Sequence, residues 1–173
     1  QSATMFDVAL MGSIVLEARV RQAALNTGEV FIGFSDVNTD LAIIEGAICH
    51  GDTVTVTLTA SDLVGFLMAS DLTDNSDWHG VYNGGTTTGE TTSTSVDFDA
   101  GATAGEYQVL RLELFPNGTA EWWVDGVLEQ TVTGAVSTSV DLCLNVIVES
   151  KTTAVKTMDV DYIRVWANRD WTA

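Results

Sequence analysis

Two groups of acidic residues offer the oxygen ligands that calcium prefers. The first is the run DVNTD, with oxygen-bearing side chains at alternate positions: Asp36, Asn38 and Asp40. The second is the run DLTDNSD, with Asp71, Asp74 and Asp77. The residues after DVNTD supply neither the glycine nor the glutamate that completes a calcium loop, and acidic residues in loops are usually solvated or capping. We therefore predict no metal site and no other cofactor, with calcium at either group as the alternative.

The other residues that could do chemistry form no known catalytic motif. His50 and His79 are too few and too isolated for a zinc site. No serine stands in a nucleophile elbow, and the glycine-rich stretches lack the lysine and helix of a phosphate-binding loop. Cys49 and Cys143 lie among apolar residues, which predicts two buried free thiols, with one disulfide as the alternative. We predict no catalytic residue.

The tryptophans are the side chains best suited to stack on a sugar or to anchor an interface. Trp122 and Trp123 are adjacent, so on a strand they point to opposite faces and one of them should enter the core. The candidates for an interface or for glycan stacking are Trp78, Trp123, Trp166 and Trp171. We expect core or subunit packing for each, with a sugar platform as the alternative.

The elements that must position these side chains are strands, and the clearest lie between Tyr107 and Val132. In YQVLRLEL, leucines alternate with charged residues, which is the period of a strand with one buried face. Pro116-Asn117-Gly118 predicts a turn, AEWWV a second strand, and Asp125-Gly126 a tight hairpin. This stretch predicts an antiparallel meander whose core positions are Leu110, Leu112 and Leu114.

Alternation and short apolar runs predict further strands over 13–21, 30–34, 53–60, 63–69, 78–82, 139–149 and 156–166. The segment 41–50 is ambiguous between a strand and a short helical turn. The Gly/Thr/Ser tract 83–95 predicts a long exposed loop, ordered against a neighbouring subunit, with a two-strand excursion as the alternative. No window has a helical period. The pattern predicts an all-β fold, a two-sheet antiparallel β-sandwich.

The charge of the chain excludes several partners. The net charge is −17, and no Lys or Arg occurs between Arg21 and Arg111, an interval that holds thirteen Asp and Glu residues. Such a surface repels phosphate groups, so we predict no binding of nucleic acid or of an anionic membrane. No apolar run approaches the roughly 20 residues that cross a bilayer, and no signal peptide is visible. We expect an N-terminal arm or first strand at 1–12, one sandwich domain at 13–170 and a tail at 171–173.

The order of several short motifs resembles the concanavalin A-like lectin/glucanase superfamily. The run RLELFPNGTAEWWVDG is similar to its paired strands, and MDVDYIRVWANRD to its last strand. With GFSDVN and DNSDWHGV upstream, the order resembles domains of tailed-phage virion proteins over about residues 14–170. The resemblance implies a jelly-roll topology. Catalytic members carry E-x-D-x-x-E on one strand, and here only Asp159 and Asp161 share a face, so we expect no enzyme and no hydrolysis of β-glucans.

The resemblance also implies a function. It predicts a non-catalytic structural protein of the virion, a phage capsid decoration (cement) protein or head appendage on the capsid exterior. Its partners would be the major capsid protein or other virion proteins, and the chain would form a homo-oligomer, taken as a trimer. The surplus of aromatic residues near the C-terminus, Trp166 and Trp171, favours such association. The alternative is a carbohydrate-binding, lectin-like module.

Overall fold

Residues 5–39, 43–151 and 153–169, which the computed structural model describes, form two five-stranded antiparallel sheets and a two-stranded ribbon. The predicted β-sandwich is confirmed. The strands in chain order are β1 Ile14–Gln22, β2 Gly28–Ser35, β3 Cys49–Asp52, β4 Thr55–Leu58, β5 Leu63–Ala69, β6 Asp77–Asn83, β7 Asp97–Gly101, β8 Tyr107–Leu114, β9 Ala120–Val124, β10 Val127–Val132, β11 Cys143–Ser150 and β12 Met158–Trp166. Sheet I has the order β10-β9-β8-β1-β12, and sheet II the order β11-β2-β5-β6-β7.

The meander predicted from the sequence forms three of the five strands of sheet I, β8, β9 and β10. The turn after β8 is closed by Phe115, whose N–H donates to Thr119 O at 2.9 Å, and Gly118 takes a φ of +78° there. Asp125 and Gly126 have φ values of +50° and +85°, the left-handed pair that a tight hairpin requires. The sequence therefore specifies β8, β9 and β10 through local turn chemistry.

The main core lies between the two sheets and is built from the inward face of each alternating strand. Sheet I contributes Leu110, Leu112 and Leu114, all fully buried as predicted, together with Trp122. Sheet II contributes a second set, which is Val30, Ile32, Phe34, Val64, Phe66 and Met68. Trp122 is the core member of the tryptophan pair, and its Nε1–H donates to Gly65 O at 2.9 Å.

A second apolar core covers the outer face of sheet II. A π-helical turn, Ile44–Ile48, the ribbon β3–β4 and a short helix α1, Ser93–Val96, lie over that face. Their apolar side chains pack on Phe31, Leu67 and Val81 of the sheet. Both faces of sheet II are therefore buried, whereas the outer face of sheet I has no such cover among the described residues.

Several local expectations differ from the structure. The predicted strand 53–60 shortens to β4, because Thr53 has a φ of +56° that breaks the extended chain, and Val54 is left 52% exposed. In the tract 83–95, Thr87 N–H donates to Gly134 O at 2.9 Å and Val56 N–H donates to Thr91 O at 2.8 Å. The tract is thus ordered by its own chain.

The structure also bears on the cysteines and on membrane-spanning helices. Cys49 and Cys143 are buried and unpaired, as predicted. Within the described residues, no helix is long and apolar enough to cross a membrane.

Candidate functional site

The outer face of sheet I gathers aromatic and charged side chains in rows that cross the strands. The antiparallel register places Trp123 of β9 beside Arg111 of β8, then Glu17 of β1 and Arg164 of β12. Residues paired in this way project from the same face of a sheet. The row is therefore a line of one aromatic ring, two cations and one carboxylate.

A depression with a volume of about 370 Å³ opens at the Trp123 end of this row. Its lining includes Glu17, Val109, Arg111, Trp123 and Gly126. Trp123 Nε1 is occluded from solvent and has no hydrogen-bond partner among the described residues. A buried N–H without an acceptor costs about 1–3 kcal/mol, so the position of this ring is maintained against a local penalty.

The hairpin between β9 and β10 shapes the edge of the depression. Asp125 N–H donates to Val109 O at 2.8 Å, and Val109 N–H donates to Asp125 Oδ1 at 2.8 Å. These two bonds fold the turn back onto β8. Gly126 has open space where a side chain would stand, since a Cβ there would meet nothing within 4 Å. The depression therefore stays accessible from the hairpin side.

The charges on this face are closely matched. Its arginines are Arg19, Arg21, Arg111 and Arg164, and its carboxylates are Glu17, Glu113, Glu121, Asp159 and Asp161. Arg19 pairs with Asp161 at 2.7 Å, and Arg111 with Glu113 at 2.9 Å. Arg21 pairs with Asp159. Four of the seven basic residues of the chain thus lie on one sheet face, where acidic neighbours balance them.

Two tyrosines hold charged groups of this face in place, and the Arg164 guanidinium lies 4.8 Å from the centroid of the Tyr162 ring. The guanidinium groups of Arg19 and Arg21 lie over the Tyr107 ring, with centroid distances of 4.2 and 4.9 Å. Tyr162 O–H donates to Glu17 Oε1 at 2.9 Å, and this bond raises the pKa of Tyr162. The planar groups of the face are therefore fixed before a ligand arrives.

The four tryptophans named from the sequence have different positions. Trp78 as an interface or stacking residue is corrected by the structure: it is 1% exposed, and its Nε1–H donates to Gln108 Oε1 at 3.0 Å. Trp123 and Trp166 both lie on the outer face of sheet I, with Trp166 46% exposed. Trp171 lies outside the described residues.

The acidic groups are arranged differently from the sequence expectation. Asp77 lies with Asp97 and Asp99, with one carboxylate oxygen of each within 4.8 Å of the others, whereas Asp71 lies 3.8 Å from Lys151 Nζ. Burial, followed by the neighbouring Asp97 carboxylate, raises the pKa of Asp77. Of the first group, Asp40 lies outside the described residues.

Sequence reasoning missed the polar half of the site. The alternation over 13–21 and 107–114 places Glu17 and Arg111 on the polar faces of strands, and no sequence motif singles out Arg164. Their meeting depends on the pairing of β1 with β8 and β12, which are far away in the chain. The only signal was that most of the few basic residues fall at outward positions of alternating strands.

Solved structures share this architecture, although no protein-family profile and no curated protein matches the sequence. An alginate lyase from Pseudomonas aeruginosa superposes with a TM-score of 0.58 at 11% identity, over 95% of this chain and 68% of the lyase. The chain has the concanavalin A-like jelly-roll fold. An alginate lyase of polysaccharide lyase family 7 gives a TM-score of 0.56 at 9% identity, over 91% of this chain and 60% of that one.

A β-glucanase from Bacillus licheniformis has a TM-score of 0.51 at 16% identity, covering 91% of this chain and 67% of the enzyme. The chain thus spans 60–68% of the length of these three proteins. The prediction that the chain is not an enzyme is wrong, because these neighbours of the same jelly roll are enzymes. The absence of E-x-D-x-x-E does not exclude catalysis on this fold. At sequence identities of 9–16%, these similarities show a shared fold alone.

Proposed function

We propose that this chain is a lectin-like, carbohydrate-active module that binds a glycan on the outer face of sheet I. The observation that carries the proposal is the depression at Trp123, where an aromatic ring meets a charged pair, Arg111 and Glu17. The fold supports it, since the solved structures that share it include alginate lyases and a β-glucanase.

The side chains at the depression match the chemistry of a sugar. The apolar C–H face of a pyranose ring packs on an indole ring, which contributes a large rigid surface. Arg111 supplies donors and Glu17 supplies acceptors for hydroxyl groups on either side. Convergent polar groups around an apolar centre are typical of small-molecule sites.

Titration of the purified chain with a panel of oligosaccharides tests the proposal, with tryptophan fluorescence and calorimetry as the readouts. Trp123→Ala should weaken binding at least about tenfold, which corresponds to 1.4 kcal/mol. Val54→Ala serves as the matched control, since Val54 is exposed on the ribbon that covers sheet II. Chromatography of the incubated glycans shows whether a bound chain is also cleaved.

The result that contradicts the proposal is equal binding by Trp123→Ala and the unchanged chain, or no binding to any glycan. Trp123→Phe tests the contribution of the stacking area, because it keeps an aromatic ring but with a smaller face. It should bind more weakly than the unchanged chain and more tightly than Trp123→Ala.

Assembly on a phage capsid stays a prediction from the sequence resemblance. Under that alternative, the face of sheet I would contact a protein instead of a sugar. Sedimentation of the purified chain at low and high salt tests the predicted trimer, since a net charge of −17 per copy opposes association unless salt screens it.

A further inference from the structure

We infer that the ligand is an extended, uncharged glycan chain that crosses β9, β8, β1 and β12 from Trp123 to Trp166. The inference rests on the proposed function and adds to it the direction, the length and the charge class of the ligand. Three features of the face carry it: the spacing of two aromatic rings, the hydrogen-bonding groups between them, and the charge balance.

The two rings stand at opposite ends of the sheet face. Trp166 is in register with Val15 of β1, and Val15 is in register with Glu113 of β8. This row continues to Glu121 of β9, and Trp123 is the next outward-facing residue on the same strand. Trp123 is therefore three strands away from Trp166 and one row further along. With strands about 4.8 Å apart and same-face residues about 7 Å apart, the two rings are separated by roughly 15 Å. A monosaccharide is too short to contact both rings, whereas a chain of several sugars can.

The surface between the rings is polar and rich in acceptors. Glu113 stands directly opposite Glu121 on the neighbouring strand, and Glu17 lies in the next row. Carboxylates accept hydrogen bonds and donate none, so they are suited to ligands with many hydroxyl groups. Arg111, already paired with Glu113, adds donors at a fixed position. A polyhydroxylated chain satisfies this arrangement along its whole length.

The charge balance selects against an anionic chain such as alginate. The four arginines of the face are accompanied by five carboxylates, and the whole chain carries −17. Three of these arginines already pair with a carboxylate. A uronate chain would approach a negative protein on which three of the four arginines of the face are already paired, so binding would be opposed by repulsion at low salt. An uncharged chain meets no such repulsion.

The test compares disaccharides and hexasaccharides of glucose, mannose, galactose and xylose with hexamers of mannuronate and galacturonate. We expect a neutral hexamer to bind at least about tenfold more tightly than its own disaccharide. It should also bind at least about tenfold more tightly than either uronate hexamer. Affinity for the neutral hexamer should change less than about twofold between 20 and 500 mM salt, because an uncharged ligand has no charge for salt to screen. Trp166→Ala should reduce the hexamer affinity to near that of the disaccharide, while Val54→Ala should not.

Each opposite result has a distinct meaning. Preference for a uronate hexamer at low salt overturns the charge class. Equal affinity for disaccharide and hexamer, or an unchanged hexamer affinity in Trp166→Ala, overturns the extended path. Binding to none of the glycans contradicts the proposed function itself rather than this refinement. Urea denaturation of Trp166→Ala confirms that the variant is folded, which is expected because β12 is an edge strand.

Discussion

The substitution Glu29→Gln, which removes one buried carboxyl, should remove part of the pH dependence of the free energy of unfolding. Glu29 lies on β2 under the second core, with its side chain fully buried. Its Oε1 accepts the Gly51 N–H at 3.2 Å and lies 3.8 Å from Lys151 Nζ, while its Oε2 has no partner among the described residues. Burial raises the pKa of Glu29 from 4.5 to about 7, although Lys151 acts in the opposite direction.

The sign and size follow from that pKa. A carboxyl whose pKa is higher in the folded state than in the unfolded state binds more protons when folded, here between pH 4.5 and about 7. The free energy of unfolding therefore falls as the pH rises through this interval. The penalty is nearly absent below pH 4.5, and above pH 7 it reaches about 3 kcal/mol, from 1.36 kcal/mol per pKa unit. Between pH 5 and pH 8 the change is about 2.5 kcal/mol.

Urea denaturation of both proteins at pH 5 and pH 8 measures this change. The difference in unfolding free energy, Glu29→Gln minus the unchanged chain, should shift by about 2.5 kcal/mol in favour of the variant at pH 8. The comparison cancels other titrating groups and any constant cost of the new amide. Glu106→Gln, which removes an exposed carboxyl before β8, controls for the change in charge. A shift below about 1 kcal/mol would show that Glu29 is not held in a desolvated site.

The remaining predictions concern packing. Gly33→Ala should destabilise the fold by more than about 3 kcal/mol, since its Cβ would lie 2.3 Å from Val64 O and 2.5 Å from Gly65 Cα. Gly105→Ala should cost only about 1–2 kcal/mol, from a φ of +82° in open space. Trp122→Phe should cost about 1–3 kcal/mol, because it leaves Gly65 O without its indole donor. Urea denaturation followed by circular dichroism measures all three, and equal losses for the two glycine variants would contradict the steric argument.

The strands were predictable from the sequence wherever alternation and turn chemistry agreed. The meander is the clearest case, because Asp125-Gly126 sets its hairpin and the leucine period sets its buried face. The second core was not predictable. Phe31 and Leu67 read as ordinary core residues, and nothing local indicates that another layer lies on them.

The candidate site was half predictable. Adjacent tryptophans on a strand must point to opposite faces, so an outward ring at 122 or 123 was expected. Trp123 is the candidate of the two, and its register with Arg111 places it on the outer face while Trp122 is buried. The polar partners, Glu17, Arg111 and Arg164, come together only through long-range pairing, for which sequence spacing carries no information. Trp78 is not available as a stacking residue because its ring packs edge-on against Phe66 of β5 and its Nε1–H donates to Gln108 of β8, two contacts that only the folded sheets create.

The position of β1 in sheet I has a consequence for how the chain folds. Both neighbours of β1 are distant in sequence: β8 begins at Tyr107, and β12 ends at Trp166. On the ribosome, β1 therefore emerges early and remains without either partner while most of the chain is made. Such non-local pairing makes folding slow, because a long loop must close before any contact forms. Sheet I, and with it the face proposed to bind glycans, is complete only when β12 has been synthesised. Until then β1 has an unpaired strand edge, and such edges promote aggregation.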